Sequence, residues 1–198
     1  LYFEWVYECA KLCKKNNIKT VLVTNGYLNP GPSKILFKYI DAANIDLKSA
    51  SEDFYKNLCA GHLSPVKEFI KNAFDAKVHI EITTLVITDT NDSSEEIKEL
   101  TGFIKSISPD IPYHISRYHP SYKLKKEPTD LKRMNHLIDL AKKDLNFVYG
   151  GNISTNSSTY CKHCNSLLVS RNFYHTNVED LSADGKCNNC GCNNNFKI

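Results

Sequence analysis

Residues 66–87, VKEFIKNAFDAKVHIEITTLVI, carry two hydrophobic periods joined without a break. Val66, Phe69, Ile70, Ala73 and Phe74 recur at helical spacing, and from Val78 a largely apolar run lasts to Ile87. A helix with one apolar face feeding a long strand is half of a βα repeat, in which helices cover the sheet and the strands run parallel.

The same order recurs on both sides. Upstream, Phe3, Val6, Tyr7, Ala10 and Cys13 share a helical face that leads to an expected buried strand over 18–23. After a break at Pro30-Gly31-Pro32 the pattern predicts a short helix over 33–39 and a strand over 43–47. Ser51 reads as the N-cap of a helix with Phe54, Tyr55, Leu58 and Cys59 on one face. Downstream, Ser93 and Glu96 have capping-box spacing ahead of Ile97, Leu100, Ile104 and Ile107, and a strand is expected over 113–118. Thr129, after Pro128, is expected to open the last long helix, with Leu131, Met134, Leu137, Ile138 and Ala141 inward, before a final strand over 147–149. A full eight-stranded barrel takes roughly 250 residues, so about five strands predict a partial (β/α) barrel within the α/β class. Composition changes after Asn152, where Ser, Thr, Asn and Cys replace the apolar alternation. That change divides the chain into 1–152 and 153–198.

A chain of 198 residues that is 41% hydrophobic can bury a sizeable core. Its formal charge of +3 comes from 25 basic and 22 acidic side chains that are interspersed, which argues against a nucleic-acid or acidic-membrane partner. No apolar stretch has the length of a membrane span. The opening Leu1-Tyr2-Phe3-Glu4-Trp5 lacks the basic start of a signal peptide and already reads as the inside of a helix, so the chain is expected to be the carboxyl-terminal part of a longer cytoplasmic protein. Four of the eight cysteines are scattered, as in reduced intracellular proteins.

The other four form Cys161-x2-Cys164 and Cys187-x2-Cys190, separated by 22 residues. Two such knuckles supply four thiolates for a closed tetrahedral site, the chemistry of structural zinc or a single iron. So few apolar residues surround them that ligation must supply what a small core cannot. A zinc-ribbon or rubredoxin-like unit is therefore expected, with His163 and Cys192 as surface residues.

In a parallel barrel the loops after the strands converge on one rim. Thr24-Asn25-Gly26, Asp46-Leu47-Lys48 and Arg117-Tyr118-His119 each follow an expected strand. Asp46 and Lys48 share side-chain parity, so both are expected to face the interior while Leu47 packs outward, and Glu81 has the interior parity of its own strand. The pair suits either an internal ion bridge or ligand binding. Lys48 as a Schiff-base amine is a further reading, and a metal-ribbon binding or adaptor module on an α/β scaffold is the alternative to an enzyme.

Thr24-Asn25-Gly26-Tyr27, Asp46-Leu47-Lys48, Glu81 through Val86, His114 through Pro120 and Val148 through Asn152, in this order, resemble the radical SAM enzymes related to pyruvate formate-lyase activating enzymes. The similarity is greatest to the AmmeMemoRadiSam type, which also carries a four-cysteine tail. The resemblance implies an enzyme that binds S-adenosylmethionine and a [4Fe-4S] cluster, and that cleaves the cofactor reductively to a 5′-deoxyadenosyl radical for hydrogen abstraction. It implies that Thr24, Asn25 and Gly26 line the cofactor pocket, that Asp46 and Lys48 hold its polar groups or a cation, and that His119 contacts the nucleoside. The resemblance suggests a glycine in a partner protein as the substrate, with a small metabolite the open alternative, and ferredoxin or flavodoxin as the reductant. The family's C-x3-C-x2-C cluster motif is absent. Cys9-x3-Cys13-x2-Asn16 lacks the third thiolate, and these two cysteines are expected to be core or interface thiols. The cluster ligands are thus expected outside this chain, which alone would not cleave the cofactor.

Overall fold

The computed structural model describes residues 2–153, 157–172 and 175–197. Five parallel strands lie in the order β1-β2-β3-β4-β5, so each strand neighbours the next in sequence. They are β1 (Val21–Thr24), β2 (Ala42–Asp46), β3 (His79–Val86), β4 (Tyr113–Arg117) and β5 (Val148–Gly151). The connections carry α2 (Pro30–Leu36), a 3-10 turn (Phe37–Tyr39), α3 (Glu52–Leu58), α4 (Leu63–Asp75), α5 (Ser94–Ile107) and α6 (Leu131–Ala141). Helix α1 (Phe3–Lys15) precedes β1. A second, antiparallel sheet contains β6 (Thr159–Tyr160), β7 (Leu167–Asn172) and β8 (His175–Val178).

One face of the parallel sheet is dry and the other is open. Ala43, Ile45 and Leu47 are buried, with Ile80 and Ile82 on β3 and Tyr113 and Ile115 on β4. They meet Val66, Phe69, Ile70, Ile97, Leu100, Ile104, Met134 and Leu137 from α4, α5 and α6 in one continuous core. Burying this many aliphatic and aromatic side chains, at about 1.5–3 kcal/mol each, is what holds the helices on that face. The alternate residues Asn44, Asp46, Glu81, Thr83, His114 and Ser116 line the concave face and are half-buried. Strand parity therefore puts the polar chemistry on the inner side of a partial barrel.

Several boundaries differ from the pattern-based expectation. Ile18 lies outside β1 and is exposed, because Thr20 bonds Tyr39 O and the Asp41 carboxylate and the chain joins the sheet only at Val21. Val21 and Val23 are 68% and 77% exposed, so this strand is not buried. Pro30-Gly31-Pro32 is the first turn of α2 rather than a break, since proline at the start of a helix forfeits an N–H that has no partner there anyway. Thr129 is a stitch, its hydroxyl donating to Val86 O at 2.6 Å, while Asp130 caps α6 and Leu131 is 48% exposed. Cys9 is exposed on α1 and Cys13 half-buried, which corrects the core assignment for Cys9. No described helix is long and apolar enough to cross a membrane.

Candidate cofactor rim and metal centre

Strand register brings the expected rim residues to one end of the sheet, with Thr24 opposite Ile45, Asp46 opposite Thr83, and Val86 opposite Arg117. After β1 the chain turns tightly. Gly26 N donates to Thr24 Oγ1 at 3.1 Å and Tyr27 N to Asn25 Oδ1 at 3.1 Å. Gly26 has φ +67°, and a Cβ there would sit 3.0 Å from Ile45 Cγ2 and 3.4 Å from Phe69 and Val66. Its glycine is demanded by backbone conformation and by packing beneath α4.

Lys48 Nζ lies 3.1 Å from Asp46 Oδ2, with the side chains 39% and 37% exposed. Leu47 between them is fully buried, as parity requires. A partly solvated pair of this kind contributes only about 0–1 kcal/mol, so stability alone gives little reason for it. The backbone around it is held far more firmly than the pair itself. Thr84 Oγ1 donates to Leu47 O at 2.6 Å, Asn91 Nδ2 to Lys48 O at 2.8 Å, and Lys48 N to the Tyr55 hydroxyl at 3.0 Å. Burial pushes the Tyr55 phenol up to about 12, which keeps it a neutral hydrogen-bonding anchor.

The next loop is held by Glu96, which only half completes its capping box. Ser93 Oγ accepts from Glu96 N at 3.0 Å, but the Glu96 carboxylate reaches across to Ser49 Oγ at 2.5 Å and Ala50 N at 2.6 Å. Asn91, Tyr55, Thr84 and Glu96 are the positioning residues that sequence reading missed. Their roles depend on partners 7 to 47 positions away, for which no local spacing exists.

His119 is exposed two residues beyond β4 and forms no contact with Asp46 or Lys48 among the described hydrogen bonds and ion pairs. Glu81 faces inward as expected. It accepts from His114 Nε2 at 2.6 Å and lies 3.8 Å from His79 Nε2. The His114 hydrogen bond, followed by that of His79, holds the Glu81 carboxyl down to about 2. His114 also stacks on Tyr149, with ring centres 5.3 Å apart.

The four tail cysteines come together. Their Sγ atoms all lie within 4.8 Å of one another, with Cys161 to Cys190 and Cys164 to Cys187 both at 3.6 Å. A metal–sulfur bond of about 2.3 Å in a tetrahedron sets ligand sulfurs about 3.8 Å apart, so the spacing suits one ion. Hydrogen bonding from Ser166 holds the Cys164 thiol down to about 5. Cys190 receives a backbone hydrogen bond from Cys192, yet burial and the three neighbouring thiols push it up to about 12. Four sulfurs this close cannot all ionise without a cation between them. Around them Leu168 and Val169 form a very small core, against which half-buried Cys192 packs rather than lying free on the surface.

The radical SAM superfamily model matches residues 1–101. The chain belongs to the radical SAM superfamily. An uncharacterized protein of Methanocaldococcus jannaschii is 33% identical over 197 residues, covering 96% of this chain and 58% of that protein. The pyruvate formate-lyase-activating enzyme of Clostridium pasteurianum is 29% identical over 133 residues, which is 62% of this chain and 56% of the enzyme. Among solved structures, a domain of the pyruvate-formate lyase-activating enzyme from Bacteroides vulgatus superposes with a TM-score of 0.66 at 19% identity, covering 76% of this chain and 92% of that domain. The parallel five-stranded sheet is thus a radical SAM partial barrel, related by sequence and fold to activating enzymes. The chain spans less than two thirds of the length of the curated relatives it matches.

Radical SAM membership implies S-adenosylmethionine and an iron-sulfur cluster. The cluster does not fit the described residues of this chain. Cys9 and Cys13 lie four positions apart on α1 with Asn16 where a third thiolate would be needed. The only converging set of three or more His, Cys, Asp or Glu donors among the described residues is the tail. Its sulfurs crowd around a single point, whereas a [4Fe-4S] cube spreads each thiolate onto its own iron. The rim does suit a zwitterionic cofactor, since Asp46 and Lys48 offer one charge of each sign on an open face.

Proposed function

We propose that residues 1–152 form the cofactor-facing part of a radical enzyme that cleaves S-adenosylmethionine to a 5′-deoxyadenosyl radical, and that residues 153–198 form a zinc-ribbon or rubredoxin-like structural unit. The observation that carries this reading is the Asp46–Lys48 pair, half-exposed at the strand tips on a backbone clamped by Thr84, Asn91 and Tyr55. Lys48 is suited to the methionyl carboxylate. Asp46 is suited to the amino group, a ribose hydroxyl or a bound cation. Thr24, Asn25 and Gly26 contribute the adjoining turn, and His119 the nucleoside edge. The cluster is carried by cysteines outside this sequence, and the tail holds zinc or iron.

Relatives that activate pyruvate formate-lyase support a partner protein as the substrate class. The working environment of this reading is the cytoplasm, with ferredoxin or flavodoxin as electron donor and neither nucleic acid nor membrane as partner.

Equilibrium dialysis of this chain against labelled S-adenosylmethionine tests the rim. Lys48→Met and Asp46→Asn are each expected to weaken retention by about tenfold, the worth of one charged hydrogen bond. Unfolding stability should move by less than about 1 kcal/mol, because the ion pair is partly solvated. Unchanged retention in both variants would remove the rim from the cofactor site. Anaerobic reconstitution of the same chain with iron and sulfide is expected to yield no 5′-deoxyadenosine. Product above background would overturn the placement of the cluster ligands elsewhere.

A further inference from the structure

The rim occupies the carboxyl ends of the strands, and a second concavity lies at their amino ends. It has a volume of about 740 Å³, bounded by the starts of the five strands on one side and by Thr159, Arg171 and Phe196 of the tail on the other. That size suits a small molecule. The tail is held over it by Lys162 on the Asp110 carboxylate at 2.5 Å, by Asn195 on Asp110 O at 2.9 Å, and by Tyr149 on Thr159 at 2.8 Å.

The charges on its wall do not cancel. Asp41 accepts from Thr20 N at 2.9 Å and faces Lys19 at 3.8 Å, while Glu81 is engaged by His114 and His79. Both carboxylates therefore have partners. Arg171, half-buried on β7, donates from Nη1 to Ser157 O at 3.0 Å and Thr159 Oγ1 at 2.7 Å, and its guanidinium lies 5.8 Å from the Tyr149 ring centre. These contacts are all with neutral groups, and no carboxylate of the described residues forms an ion pair with it. A half-buried cation with no counter-ion among the described residues is costly, and a cavity beside it gives room for one that comes and goes. Lys197 brings further positive charge to the same wall.

We propose that this cavity binds a small organic anion, with a carboxylate or phosphate on Arg171 and its apolar body against Phe196 and Ala42. The site is separate from the cofactor rim, at the opposite end of the same strands.

The anionic dye 8-anilinonaphthalene-1-sulfonate and the neutral N-phenyl-1-naphthylamine, titrated by fluorescence into the metal-loaded chain, test this. Arg171→Met is expected to weaken the anionic dye by about tenfold, the worth of a charged hydrogen bond, and to leave the neutral dye unchanged. Lys197→Met should weaken the anionic dye less and again spare the neutral one. Displacement of the dye by benzoate marks the ligand as a carboxylate, and displacement by phenyl phosphate marks it as a phosphate. Failure of both competitors overturns the proposal, as does an unchanged anionic affinity or a parallel fall for the neutral dye. Where Arg171→Met loses its tail metal, Lys197→Met decides the matter alone, since among the described residues none of the hydrogen bonds that hold the tail passes through it.

Discussion

Asn91 binds Lys48 without touching its charge: the side-chain amide donates to the Lys48 carbonyl at 2.8 Å and to Leu85 O at 3.0 Å, while Asn91 Oδ1 accepts from Ile87 N at 2.7 Å. One buried side chain thus joins the tip of β2 to the end of β3. The rim geometry depends on it as much as on Asp46.

Asn91→Ala should destabilise the chain by about 3 kcal/mol, because up to three backbone groups lose a partner in a site with little water. Urea unfolding measures it. A loss under about 1 kcal/mol would mean that the strand tips are held by something else.

Gly26→Ala should cost about 1–3 kcal/mol, since the new methyl meets Ile45 at 3.0 Å in a backbone conformation that alanine resists. Gly102→Ala, where a Cβ meets nothing within 4 Å on a helix, should stabilise by about 0.5–1 kcal/mol. The paired thermal melts check both signs together.

Cobalt titration should give one tetrahedral thiolate site per chain, seen as its visible absorption bands, and Cys161→Ser should abolish it. Loss of the metal is expected to unfold the tail while the parallel sheet keeps its own core, so far-ultraviolet circular dichroism should retain its helical signal. Global unfolding on chelation would contradict that independence.

The folded-state pKa of Glu81, about 2, lies below the roughly 4.3 of an unfolded glutamate. The unfolded chain therefore binds more protons between those values, and the Glu81 contribution is present above about pH 4.3 and lost as pH falls toward 2. His114→Gln should flatten this acid limb in a series of urea melts. The loss will be modest, because the Glu81 side chain is 37% exposed.

The amino-acid sequence alone made legible the order of elements, the parallel α/β class and the four-thiolate centre. These are local properties: the stripe Val66, Phe69, Ile70, Ala73 needs only the helical repeat, the parity of Asp46, Leu47 and Lys48 needs only the pleat, and each Cys-x2-Cys turn is set by four consecutive residues. It also carried the polar rim, because successive parallel strands present their carboxyl ends to one side.

Packing of segments far apart in the chain sets which groups hold that rim and what lies at the other end of the strands. Glu96 has the spacing of a cap, yet its carboxylate binds Ser49 and Ala50 once α5 is packed beside the β2 loop. No local pattern in the chain marks Arg171, which docking of the tail sets over Tyr149. Such contacts depend on which strands and loops become neighbours, and that follows from the summed burial of the whole core rather than from any short period in the chain.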